Sequence, residues 1–110
     1  MEMKQTIVCL TALAQETRLA VFRLLVEAGP DGLCAGDIGA RLNVPAATLS
    51  FHLAQLANAG LLSARQQSRF IFYSADFEAM NGLVGFLTEN CCGGKPCPPA
   101  KPKRKKTLSA

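Results

Sequence analysis

The sequence predicts a mainly α fold carrying one small β-hairpin, and three observations support this. Apolar residues recur at helical spacing through most of the chain before Asn90. The break Gly29-Pro30-Asp31-Gly32 and the turn Asn43-Val44-Pro45 cut that pattern into separate helices. After Gly60 the rhythm changes to two short strand-forming runs around a polar segment.

In chain order, a first helix is expected over Met3–Leu13, with Ile7, Leu10 and Ala14 on its apolar side. A second covers Glu16–Ala28, with Leu19, Phe22, Leu25 and Val26 inward and Arg18, Arg23 and Glu27 outward. A short helix, Ala35–Leu42, sets Ile38 and Leu42 one turn apart. The next covers Pro45–Ala59, with proline suited to a first turn and Gly60 to a helix end. Two helices joined by so short a turn, the second amphipathic, form a helix-turn-helix. Leu61–Arg65 and Phe70–Tyr73 are expected as strands joined by Gln66–Arg69, and a hairpin in that place is a wing. The last helix is expected over Asp76–Asn90, capped by Ser74 or Asp76 and ended by Gly93-Gly94.

Phe77, Met80, Leu83, Val84 and Leu87 make one apolar stripe on that last helix. Together with part of the first helix, it is more apolar surface than so small a domain covers by itself. A second copy would bury both, so a homodimer through the first and last helices is expected. Residues 1–92 are then the winged helix-turn-helix domain for DNA binding and dimerisation. Residues 93–110 form a Cys97-containing loop and a disordered basic tail.

The chain has 110 residues and a formal net charge of +4, but the charge is unevenly placed. Residues 1–94 hold six Lys/Arg against eight acids, a balance of −2, and the other six positive charges follow Gly94. Whole-chain charge is thus weak evidence for nucleic acid, and a DNA partner has to be argued from the motif. The N-terminus lacks the pattern of a secretory leader and no window suits a membrane span, so a cytoplasmic protein with no membrane partner is expected. There is no Cys-x-x-Cys motif, cofactor loop or acid–base pair. This argues against an enzyme, of which a thiol oxidoreductase is the nearest version, and against an organic cofactor. A sequence-blind DNA-packaging protein is the other alternative.

On the second helix of the helix-turn-helix, Leu49, Leu53 and Leu56 face inward, with His52 at the edge of that stripe. The candidates for contact with double-stranded operator DNA are Ala47, Thr48, Ser50, Phe51, His52 and Gln55, joined by Arg65 and Arg69 of the wing. Thr48 and Ser50 suit phosphates, Gln55 suits adenine, and Ala47 and Phe51 suit thymine methyls. The helix carries no Arg or Lys, so phosphate charge falls to Arg41, Arg65, Arg69 or the tail.

The segments AQETRLAVFRLL, LCAGDIGARLNVPAATLSFHLAQLANAGLL and RQQSRFIFYS resemble the ArsR/SmtB family of metal- and metalloid-responsive repressors. Ser50, His52 and Leu53, then Ala59-Gly60-Leu61, then Arg69 and Tyr73, match in order and spacing over about residues 7–92. The resemblance implies a dimer built by the first and last helices, recognition helices in successive major grooves, and release of DNA when an inducer binds. Arsenic-responsive relatives often carry ELCVCDL before the turn. Here GLCAGDI keeps Cys34 but has Gly36 at the second cysteine, which breaks that site.

Five cysteines, an odd number, do not form a secreted disulfide framework. Cys9 lies in an apolar run and is expected to be packed, and Cys34 to be structural. Cys91, Cys92 and Cys97 cluster beyond the last helix. Trivalent arsenic or antimony makes three pyramidal bonds to sulfur, whereas zinc normally takes four Cys/His ligands and the only histidine is His52. The ligand count favours As(III) or Sb(III) as inducer, and the resemblance agrees, since some members hold As(III) at this location. Methylarsenite held by Cys91 and Cys92, and thiol oxidation or persulfide formation at the same residues, remain open alternatives.

Overall fold

The computed structural model describes residues 1–98, so the greater part of the expected tail lies outside the described residues. The elements are α1 (Met3–Leu13), α2 (Glu16–Ala28), β1 (Leu33–Cys34), α3 (Ala35–Leu42), α4 (Ala46–Asn58), β2 (Leu62–Gln67), β3 (Phe70–Ala75) and α5 (Phe77–Leu87). A 3-10 turn, Cys91–Gly94, follows α5. No helix among the described residues is long and apolar enough to cross a membrane.

The core lies where α1, α2, α3 and α4 meet, built on the fully buried Val21, Leu25, Ile38, Leu49, Leu56 and Leu61. The helix-facing residues differ from expectation in two places. On α2 the inward residue of the first turns is Val21, while Leu19 is exposed. On α1 the core side is Thr6, Cys9 and Ala12, and Ile7 and Leu10 point outward. Small residues face inward because α1 packs closely: Cys9 Sγ is 3.7 Å from the Ala59 carbonyl, and Gln5 Nε2 donates to that same oxygen at 3.0 Å.

The helix-turn-helix forms as expected. Asn43 ends α3 in the left-handed conformation, to which asparagine is suited, and Val44 N–H returns to the Gly39 carbonyl at 3.0 Å. Pro45 precedes α4 with extended backbone and sets its first turn. Asp76 caps α5 by accepting from Ala79 N–H at 3.0 Å.

The sheet is three-stranded and antiparallel, in the order β1-β3-β2. Its hairpin is longer and its turn tighter than expected. Gln66 and Gln67 pair with Ile71 and Phe70, leaving Ser68-Arg69 as a two-residue turn with φ +61° at Ser68. That positive φ is what primed hairpin turns require at the first central position. The wing projects into solvent, so polar glutamines extend it without losing a buried face.

β1 was not foreseen. It pairs Leu33 with Tyr73 and Cys34 with Phe72, fastening the loop before α3 to the wing. Gly32 makes this approach possible: its φ is +71°, and a Cβ there would stand 2.1 Å from the Tyr73 carbonyl oxygen. Gly32→Ala is therefore expected to destabilise the fold by at least about 2 kcal/mol, read from urea unfolding. A wild-type midpoint would contradict the close approach.

Candidate DNA interface and thiol cluster

Helix α4 presents Ala47, Thr48, Ser50, Phe51 and Gln55 to solvent, and Phe51 is 58% exposed although it is large and apolar. The first N–H groups of α4 have no side-chain cap, and a helix N-terminus of this kind is suited to phosphate. His52 is on the other side. It is 8% exposed, and its Nδ1 lies 3.2 Å from the Arg18 guanidinium, which removes it from the outward set. The sequence places it at the stripe edge, and the partner that draws it inward comes from α2, beyond the reach of local periodicity.

The two wing arginines differ. Arg65 donates to the Asp31 carbonyl at 3.2 Å and lies 5.4 Å from the Phe72 ring centroid, so it is tied to its own sheet. Arg69 stands at the hairpin turn, exposed, with no side-chain hydrogen bond among the described residues.

The thiol cluster begins at Cys91, with Thr88, Glu89 and Asn90 separating it from α5. The helix closes at Thr88, where the sequence predicts continuation to Asn90. Asn90, Cys92, Gly93 and Gly94 then all take positive φ, and Cys91 N–H donates to the Thr88 carbonyl at 2.9 Å. Gly93 N–H reaches Asn90 and Lys95 N–H reaches Cys92, at 2.8 and 3.1 Å. These turns fold the chain back on itself, and Cys92 is held in the left-handed conformation, uncommon for a residue with a side chain.

Cys97 returns to within 3.2 Å of Cys91, sulfur to sulfur, while Cys91 and Cys92 stand 3.8 Å apart. All three sulfurs lie within 4.8 Å of one another and are exposed. An ion bonding sulfur at about 2.3 Å holds its ligands roughly 3.5–3.8 Å apart, so closure needs movements of about 1 Å or less. Cys9 is wholly buried and Cys34 half-buried, and neither joins the cluster.

A helix-turn-helix domain family matches residues 13–63, the span from the end of α1 into β2. The arsenical resistance operon repressor of Escherichia coli is 41% identical over 61 residues, 56% of this chain and 50% of the relative. The HTH-type transcriptional regulator YceK of Bacillus subtilis is 38% identical over 77 residues, 69% of this chain and 76% of the relative. The chain belongs to the ArsR/SmtB family of transcriptional regulators. Among solved structures, the ArsR/SmtB chain is similar to HlyU from Vibrio cholerae, with a TM-score of 0.66 and 29% identity over 84% of this chain and 99% of that one. The fold is the winged helix-turn-helix of ArsR-like regulators, a DNA-binding class and not an enzyme class. The family assignment gives α4 its role as the recognition helix and the β2–β3 hairpin its role as the wing.

Proposed function

We propose that this ArsR/SmtB chain is a cytoplasmic homodimeric repressor that holds operator DNA until As(III) or Sb(III) is bound by Cys91, Cys92 and Cys97. The observation that carries the proposal is the convergence of three exposed sulfurs within 4.8 Å, with no carboxylate or imidazole grouped with them among the described residues. A pyramidal three-sulfur set completes the shell of a trivalent metalloid and leaves zinc one ligand short.

Dimerisation is supported by apolar surface left outside. Ile7 on α1 is 53% exposed, and Val84 and Leu87 on α5 are 53% and 60% exposed. Ile7 shares its helix face with Met3 and Leu10, and both of these are also exposed. In a two-fold dimer the two helices of each copy would cover those of the other. The thiol turn is bonded to the last turn of α5 through Thr88, next to Leu87. Drawing the sulfurs together therefore acts on the end of the dimer helix and on the angle between the two recognition helices. These must match half-sites about one DNA turn apart, and the inducer works by its different affinity for the two dimer states.

On this reading Ala47, Thr48, Ser50, Phe51 and Gln55 face the major groove, and Arg65 and Arg69 act from the wing. Residues 1–92 carry DNA binding and dimerisation, and residues 93–110 supply the third thiol and a basic extension. Arg69→Ala is expected to lower the slope of log affinity against log salt by about 1, with little change in sequence preference. An unchanged slope would remove Arg69 from the interface.

The test is fluorescence anisotropy of a labelled duplex enriched by the wild-type chain from a randomised pool. It is titrated with arsenite, antimonite, methylarsenite, Zn(II) and Cd(II). Release by arsenite and antimonite at one equivalent per chain is expected. Release by Zn(II) alone would contradict the proposal. The 3.2 Å contact between Cys91 and Cys97 favours one second reading, in which oxidation of that pair is the trigger. Release by hydrogen peroxide but by no metalloid would support it.

A further inference from the structure

The Arg18 side chain lies between the end of α1 and the middle of the recognition helix. Its Nε donates to the Ala12 carbonyl at 2.6 Å, one of the last four carbonyls of α1, which the helix itself leaves unpaired. A guanidinium is also favoured by the negative end of that helix dipole. The same group, through NH1, meets His52 Nδ1 at 3.2 Å. Arginine has donors only, so Nδ1 is the acceptor, and the imidazole proton sits on Nε2. The His52 ring in turn meets the exposed Phe51 ring edge-on, at 5.5 Å between centroids.

These contacts form a continuous strut from α1 through Arg18 and His52 to the DNA-facing side of α4. The other core side chains of α4, Leu49, Leu53 and Leu56, are apolar, and the hydrogen bonds from Gln5 and Cys9 of α1 reach only the Ala59 carbonyl at its C-terminal end. The mid-helix bond adds a directional restraint to the apolar packing that sets the rotation of α4, and rotation decides where Thr48, Phe51 and Gln55 point. Arg18 anchors backbone at one end, which limits its own freedom. Its planar fork serves both acceptors at once, and a lysine ammonium lacks that geometry.

We infer that Arg18 and His52 are positioning residues for DNA reading: they set the recognition helix against α1 and touch no DNA themselves. This inference rests on α4 reading DNA and is independent of the thiol cluster. His52→Leu keeps a packed side chain and removes the acceptor. His52→Asn restores an acceptor near the Nδ1 position. Arg18→Lys keeps the charge and loses the fork.

The experiment measures the full chain on the same enriched duplex, with melting temperature and oligomeric mass recorded for each variant. His52→Leu and Arg18→Lys are each expected to weaken specific binding about tenfold, the scale of a charge-assisted hydrogen bond. Binding to a scrambled duplex is expected to change little. His52→Asn is expected to recover most of the loss, and the Arg18→Lys, His52→Leu double variant to bind no more weakly than the weaker single one. Wild-type affinity in His52→Leu, no rescue by asparagine, or fully additive losses would each overturn the inference. Should His52→Leu fail to fold, Arg18→Lys decides, since it leaves the recognition helix unaltered: tenfold weakening supports the strut and wild-type affinity rejects it.

Discussion

Cys97→Ser is expected to bind the enriched duplex like the wild type and to lose arsenite-triggered release. Coupling between an inducer and a second site is typically about 5–150-fold in affinity. Removing one of three sulfurs should bring that ratio close to one, because a serine hydroxyl is of similar size but is a hard, un-ionised ligand. The effect is large because Cys97 closes the loop: it is 3.2 Å from Cys91 and arrives from the far side of the Gly93-Gly94 turn. With serine there, Cys91 and Cys92 keep a two-thiol pair 3.8 Å apart. That pair still suits methylarsenite, so release by methylarsenite together with loss of the arsenite response is the expected pattern. Cys34→Ser should respond like the wild type, since Cys34 lies outside the cluster. An intact arsenite response in Cys97→Ser would contradict the three-thiol site.

Leu87→Glu is expected to convert the dimer to monomer and to abolish tight operator binding. A leucine at an interface contributes about 1.5 kcal/mol or more on burial, and a two-fold axis places the change in both copies. The dimer dissociation constant should therefore rise at least about 100-fold, before any penalty for burying the glutamate is counted. DNA affinity follows because the two recognition helices no longer engage both half-sites together. Ile7→Glu should act in the same direction from α1. Sedimentation velocity checks both. The folded monomer needs neither side chain inside, so its helicity should persist. A dimer of unchanged strength would place the subunit interface elsewhere.

Much of the fold was legible because its signals are local. Proline and glycine breaks and the 3.6-residue rhythm set the four helices before the wing almost to the residue. Where the structure departs from the sequence reading, a distant partner decides. β1 is two residues long and exists only because β3 lies beside it, and Gly32 carried no sign of the Tyr73 carbonyl that requires it. Val21 rather than Leu19 faces inward because the direction of the core depends on where α4 and β3 pack. The sequence reading runs α5 on to Asn90 because Glu89 and Asn90 continue a tolerable helical pattern, whereas the backbone already leaves the helix at Thr88 and turns left-handed at Asn90. Of the site, the three clustered cysteines were visible from spacing alone. The successive left-handed turns that bring Cys97 back were foreshadowed only by the two glycines. The sequence counts His52 among the DNA candidates because its motif position lies beside residues that do face outward, and the Arg18 contact is visible only in three dimensions.

X-ray absorption at the arsenic edge of the arsenite-loaded full chain tests the central proposal most directly, because it counts the ligand atoms. The expected result is one arsenic per chain with a single shell of three sulfurs, reduced to two sulfurs and one oxygen in Cys97→Ser. A wild-type shell containing oxygen or nitrogen, or a three-sulfur shell that survives the Cys97→Ser substitution, would show that these thiols are not the site.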